Sequence, residues 1–182
     1  AAEPLETALD ALIQRGAVVQ EHVAKVDACY LRRLCEAELS ACTRLNVLLA
    51  AEADESRAAE QTVREIEEEQ GVAYAPQQRQ AVELAAREGV LILTGGPGTG
   101  KTTTVRGVVA LFRRMGLDMV LAAPTGRAAK RMSELSDMEA QTIHRLLGVK
   151  WDENTREPVF SKTEKEPLEA DAVIGDEMSM VD

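Results

Sequence analysis

The sequence predicts an α/β fold with a mainly parallel sheet, set behind a small all-helical N-terminal domain. Short, unbroken apolar runs at Val90–Leu93, Met119–Ala123 and Ala172–Gly175 have the length and composition of strands buried on both faces. They alternate with segments of helical period, as expected for a parallel sheet with crossover helices. Residues 1–70 instead carry helical apolar stripes. The domain boundary is therefore expected between 70 and 71.

In the front section, Leu5, Leu9, Leu12 and Ile13 fall on one helical face, and Gly16 stands where a C-cap ends that helix. Ala17–Val19 reads as a strand or a turn. A longer helix is expected from about Asp27 to Leu49, with Leu31, Leu34, Cys35, Cys42, Leu45 and Leu49 on its stripe. Ala50–Gln70 is Ala-rich and acidic, and its closing run Glu67-Glu68-Glu69 reads as a solvated helix end stopped by Gly71.

Behind Pro76, Gln77–Arg87 has a helical pattern with Ala81, Leu84 and Ala85 on one face, ended by Gly89. A Gly-rich loop follows Val90–Leu93 and opens a helix through Val105, Val108, Val109 and Phe112. Further helices are expected at Gly126–Leu135 and Thr142–Leu147. The polar stretch Val149–Pro167 reads as an inserted β-hairpin turning near Glu153–Arg156, with Trp151 and Phe160 packing on each other.

Of 182 residues, 45% are apolar and 29% charged, the balance of a globular chain. No apolar run approaches membrane-spanning length, and Ala1–Pro4 opens no basic-then-apolar leader, so no membrane partner is expected. The net charge of −10 would seem to oppose nucleic acid. Its distribution removes the objection: residues 1–72 hold seven Lys/Arg against fifteen Asp/Glu, whereas residues 73–182 hold fourteen against sixteen. Cys29, Cys35 and Cys42 are odd in number and form no CxxC pair. They read as reduced thiols on a helix, which fits a cytoplasmic protein better than a zinc site.

The chemistry centres on Gly95, Gly96, Pro97, Gly98, Thr99, Gly100, Lys101 and Thr102, followed by Thr103. They match GxxxxGK[ST] between an expected strand and an expected helix. Glycines let backbone N–H groups converge on phosphates at a positively polarised helix start. Lys101 would meet the β- and γ-phosphates, and the Thr102 hydroxyl would ligate Mg²⁺. The segment is thus a P-loop, with ATP and Mg²⁺ as expected cofactors. Asp176 and Glu177 follow the apolar run 172–175, at the strand end where α/β sheets bind ligands. Asp176 would hold the Mg²⁺ through water, and Glu177 would orient the attacking water.

Four segments in this order resemble the RecD-like branch of superfamily 1 DNA helicases, the family of the exodeoxyribonuclease V alpha subunit. They are Pro76-Gln-Gln-Arg-Gln-Ala-Val82, Thr94–Thr104, Ala123-Pro-Thr-Gly-Arg-Ala-Ala-Lys-Arg131 with Thr142-Ile-His-Arg-Leu-Leu-Gly148, and Asp171–Asp182. The front also resembles that family's helical N-terminal region around Tyr30-Leu-Arg-Arg-Leu34 and Glu36-Ala-Glu38. The resemblance implies a RecA-like P-loop domain that hydrolyses ATP to translocate 5′-to-3′ on single-stranded or duplex-junction DNA, in recombination or repair. It implies other subunits of a recombination nuclease as possible partners. It makes Gln78 the adenine-reading glutamine, a role whose plain alternative is a surface glutamine. It makes Thr125, Gly126, Arg127, Thr142 and His144 DNA contacts, with Lys130 and Arg131 nearby; a capping or packed histidine is the alternative for His144. Gly175 stands where the family has a bulky aliphatic, and Met178 where it has a small residue. The family's sensor motif, second RecA-like domain and arginine finger do not occur before Asp182, so the chain is expected to be the front part of a motor, truncated after the Walker B strand. The helicase segment of a conjugative relaxase and a P-loop adaptor subunit of a nuclease complex stay open as alternatives.

Overall fold

The computed structural model describes residues 3–50, 58–96, 98–153, 156 and 158–181. The chain divides into two compact units, 1–52 and 53–182.

The first unit opens with α1, Glu3–Gln14. Gly16 ends it as expected: its φ is +70°, and the Gly16 and Ala17 N–H groups return to the Ile13 and Leu12 carbonyls at 2.9 and 3.0 Å. The unit is not all-helical. β1 (Val18–Val23) and β2 (Val26–Leu31) form an antiparallel hairpin, and α2 begins only at Arg32, running to Leu49. Ala24 and Lys25 turn the hairpin with both φ values positive, a two-residue turn normally announced by Asn-Gly or Asp-Gly. Without those residues the apolar spacing of 26–31 reads equally well as helix. The expected cysteine stripe is also only partly buried. Cys35 is covered, but Cys42, Leu34, Leu45 and Leu49 are exposed.

The second unit starts before the expected boundary. α3, Ala58–Gln70, buries Val63 and Ile66 completely against α4 and α5, so it belongs to this core and not to the front section. The acidic run ending α3 is not simply solvated either. Glu67 is 8% exposed, and Glu65 and Glu69 both pair with Arg114 at 2.8 Å. α4 spans Pro76–Ala85, with Pro at its first position where a missing N–H costs nothing. α5 spans Lys101–Arg114.

β3 (Met119–Ala123) is the centre of a three-stranded parallel sheet. α6 (Gly126–Ser136) leads from it to β4 (Ala140–Thr142), and α7 (Ile143–Leu146) follows. β5 (Lys150–Trp151) and β6 (Pro158–Val159) form the expected hairpin, with Trp151 opposite Pro158; Trp151 and Phe160, expected to pack on each other, are both exposed. Part of its turn lies outside the described residues. β7, Ala172–Gly175, then completes the sheet in the order β4-β3-β7. The Asp118 N–H donates to the Asp171 carboxylate at 2.8 Å, and the Asp171 N–H to the Asp118 carbonyl at 2.7 Å, which starts β3 and β7 level.

Met119, Leu121, Ala172 and Ile174 share one sheet face and pack against α5, with α6 beside it. The other face is less covered, and Val173 is 58% exposed. Val90–Leu93, expected as a buried strand, joins no ladder among the described residues, and Ile92 is 80% exposed. An apolar run specifies burial on two faces, but a strand also needs a neighbour for its N–H and C=O groups. β7 keeps one edge without a ladder partner among the described residues.

Gly107 makes the tight α4–α5 packing possible. A Cβ there would lie 2.7 Å from the Tyr74 hydroxyl and 2.9 Å from Val82 Cγ2. Gly107→Ala gains helix propensity worth about 1 kcal/mol. The overpacking costs about 1–3 kcal/mol. We expect a net loss of stability, read as a lower urea midpoint at unchanged m-value; a raised midpoint would show that α4 is loosely seated.

Candidate nucleotide site

A short turn, 115–118, carries the chain from the end of α5 back to the start of β3. The first turn of α5 therefore lies at the carboxyl end of the sheet. Gly100 is its N-cap with φ +83°, a left-handed conformation that only glycine adopts freely. Lys101 Nζ donates to the Gly95 carbonyl and, at 2.9 Å, to that of Gly96. The Thr99 hydroxyl donates to the Gly96 carbonyl at 2.9 Å. A Cβ on Gly95 would sit 2.6 Å from Thr99 Oγ1, so a side chain there would have to displace that hydroxyl from its bond to Gly96. Thr102 and Thr103 lie half-buried in the first turn. Pro97 lies outside the described residues.

Gln78 reaches this loop from α4. Its Oε1 accepts the Ala75 N–H at 2.9 Å, one half of a capping box whose other half needs a side-chain acceptor that Ala75 lacks. Its Nε2 donates to the Thr99 and Gly100 carbonyls at 3.5 and 3.4 Å. Both ends of the amide are thus engaged with backbone.

Asp176 continues the β7 ladder, its N–H donating to the Ala122 carbonyl at 3.1 Å. Asp176 Oδ1 accepts the Glu177 N–H at 2.9 Å, and Glu177 itself has φ +54°. Asp176 is half-buried and Glu177 exposed, followed by a 3-10 turn at Met178–Met180. Gly175 does not break the strand.

Thr125 and Thr142 occupy equivalent places at the ends of β3 and β4. Each hydroxyl oxygen caps the following helix, accepting from Ala128 N–H and Arg145 N–H at 3.2 Å. Gly126, Arg127 and His144 are exposed beside them. Lys130 and Arg131 are exposed too, with Lys130 3.9 Å from Glu134. Asp176–Glu177 and the turns after β3 and β4 thus lie at one end of one sheet, the end toward which the first turn of α5 points. A cavity of about 400 Å³ between α5 and α6 is separate, lined by Arg106, Arg113, Glu134 and Asp137 toward the far end of α5.

A family model described as an AAA domain matches residues 78–182. The chain belongs to the AAA domain family. It is 40% identical over 105 residues to the ATP-dependent RecD2 DNA helicase of Deinococcus radiodurans, covering 58% of this chain and 14% of that protein. It is 39% identical over 128 residues to the RecBCD enzyme subunit RecD of Mycobacterium tuberculosis, covering 58% and 21%. It is also 39% identical over 95 residues to the ATP-dependent DNA helicase dda of Enterobacteria phage T4, covering 50% and 21%. The RecD-like resemblance carried by the motifs is borne out by these relatives. The chain spans between 14% and 21% of their lengths.

The AAA domain's phosphate loop fits a Mg·nucleotide on two observations. Gly98 and Gly100 hold positive φ, which lets loop N–H groups turn toward an anion, and Thr102 with Asp176 would supply the hydroxyl and carboxylate oxygens that Mg²⁺ prefers. Sequence reasoning missed one residue behind it. Glu67 Oε1 accepts the Tyr74 N–H at 2.7 Å and Oε2 pairs with Arg79 at 2.6 Å, tying α3 to the start of α4 where Gln78 stands. Only its adjacency to two other glutamates hid it. Burial penalises the Glu67 carboxylate, but the Tyr74 N–H and the Arg79 guanidinium outweigh this and hold it below its ordinary 4.5.

A carboxyl depressed on folding stabilises the fold above its unfolded value and stops doing so as pH falls through its folded one. The wild-type chain should therefore lose stability below pH 4.5 more steeply than Glu67→Gln, which should be less stable near neutrality. Parallel acid-unfolding profiles of the two proteins would contradict this.

Proposed function

We propose that this chain is the ATP-binding part of a RecD-like, ATP-driven DNA helicase or translocase acting in recombination or repair. The observation that carries the reading is the acid pair Asp176–Glu177 at the carboxyl end of β7, in the sheet against which α5, the helix opened by the P-loop, packs. ATP with Mg²⁺ is the proposed cofactor, and bound Mg²⁺ would offset phosphate charge. Lys101 would exchange the Gly95 and Gly96 carbonyls for phosphate oxygens. Thr102 and Asp176 would hold the ion, and Glu177 would orient the attacking water.

Gln78 would read the adenine edge by turning its amide away from the P-loop carbonyls, which favours ATP over GTP. Thr125, Gly126, Arg127, Thr142 and His144 would meet the phosphates of single-stranded or junction DNA along the ends of β3 and β4. The relatives' names support a DNA helicase, working alone or as a RecBCD-type subunit, as the whole-protein reading; the 5′-to-3′ direction rests on the motif resemblance alone, and the cytoplasm is the expected place. The 1–52 and 53–182 units would be an accessory region and a first RecA-like domain.

The purified chain is expected to bind a fluorescent ATP analogue in a Mg²⁺-dependent way. Lys101→Ala should weaken binding by about tenfold or more, the loss of one charge-assisted phosphate contact. The chain alone should hydrolyse ATP only slowly, lacking the arginine finger; in the intact enzyme Glu177→Gln should still bind ATP and should slow single-turnover hydrolysis by about 10²-fold or more. Unchanged hydrolysis in Glu177→Gln would refute the role given to that carboxylate.

A further inference from the structure

The helical turn that presents Gln78 has few ties of its own. Its N-cap, Ala75, has no side-chain acceptor, so only the Gln78 half of the capping box forms, Oε1 to the Ala75 N–H at 2.9 Å. Gln78 Nε2 reaches the Thr99 and Gly100 carbonyls at 3.5 and 3.4 Å. Both distances exceed the roughly 2.7–3.2 Å of a firm N–H···O bond. The P-loop therefore does not fix where Gln78 stands; the backbone of Ala75–Gln78 does.

One carboxylate brackets that turn. Glu67 Oε1 accepts the N–H of Tyr74, the residue before Ala75, at 2.7 Å. Its Oε2 accepts from the guanidinium of Arg79, the residue after Gln78, at 2.6 Å. Glu67 has little room to move: it is 8% exposed, and Val63 and Ile66 of the same helix are fully buried. Its own carbonyl accepts the Val72 N–H at 3.0 Å across the left-handed turn at Gly71 that closes α3. Tyr74 is buried in the core that α3, α4 and α5 share. Residues 72, 74 and 79 are thus all referred to one point on α3.

We infer that Glu67, acting through Tyr74 and Arg79, holds Gln78 in register with the P-loop and so sets the preference for ATP over GTP. It is a positioning residue that acts through Gln78. The selectivity half of this inference rests on the adenine-reading role proposed above for Gln78; the positional half does not. An amide set squarely on an adenine edge discriminates between bases by roughly tenfold or more, and it keeps that discrimination only while its backbone stays in place. A carboxylate serving fold stability alone would weaken both nucleotides alike.

The test is a set of equilibrium titrations of the purified chain with ribose-labelled fluorescent ATP and GTP in Mg²⁺. The variants are Gln78→Ala, Glu67→Gln, Arg79→Met, Arg79→Lys and the double variant Glu67→Gln with Gln78→Ala. The side-chain amide signals of Gln78 are followed by NMR beside them. Gln78→Ala should lower the ATP/GTP affinity ratio by about tenfold. Glu67→Gln keeps an acceptor for the Tyr74 N–H but loses the ion pair, and Arg79→Met loses the same pair from the other side. Each should lower the ratio by about threefold or more, the scale of coupling within one network, and move the Gln78 amide signals. Arg79→Lys keeps a cation against the single carboxylate oxygen and should retain most of the ratio. In the double variant the change at Glu67 should add nothing to Gln78→Ala. An equal fall in both affinities at an unchanged ratio, unmoved Gln78 signals in Glu67→Gln and Arg79→Met, or additive effects in the double variant would overturn the inference. An unchanged ratio in Gln78→Ala would instead sink the base-reading role, and the Gln78 amide signals would then decide the positional claim by themselves.

Discussion

Everything in the 53–182 unit depends on α5 being buried along its body and open at its first turn. Val109, Leu111 and Phe112 fill the space between the sheet and the α3–α4 layer. Arg114 ties its last turn to Glu65 and Glu69 of α3, where a cation also suits the helix dipole. With the far end fixed in this way, the amino end must project at the carboxyl edge of the sheet. The P-loop is therefore the near end of a core helix, and its glycines answer to packing as well as to phosphate. Gly107 admits Tyr74 and Val82, and Gly100 faces Gln78 so closely that a side chain would displace it.

That arrangement explains why the neighbouring residues matter. Glu67, Tyr74 and Arg79 lock α3 to the start of α4, and α4 carries Gln78 against the loop. Parallel strands end together, so the turns after β3, β4 and β7 deliver Thr125, Thr142 and Asp176 to one edge without a long-range contact among their side chains. Asp176 gains its position from one further ladder bond to Ala122. Glu177 gains its position from a left-handed turn.

The α/β class, the helices at 76–85, 101–114 and 126–136 and the strands at 119–123 and 172–175 were legible because period and composition agree there. The nucleotide motif was legible because its spacing is dictated by phosphate geometry. The hairpin at 18–31 was not, since Ala24-Lys25 lacks a recognised turn pair and the apolar residues beside it suit either period. The boundary near 52 was hidden because α3 is acidic on its outside, and only Val63 and Ile66 show that it faces a core. Glu67 could not be told from Glu68 by sequence, because burial of one carboxylate in a run depends on tertiary partners. For Val90–Leu93, hydrophobicity gave the environment such a run prefers but not a ladder partner.

The claim at the centre of this account is that the P-loop and the acid pair act as one Mg·nucleotide site. An NMR titration of the labelled chain with a non-hydrolysable ATP analogue, with and without Mg²⁺, tests it most directly. The account predicts that amides of Gly98–Thr102 shift with nucleotide, and that Asp176 and Glu177 shift with them only when Mg²⁺ is present. Shifts at the P-loop that leave Asp176 and Glu177 unmoved in Mg²⁺ would contradict it.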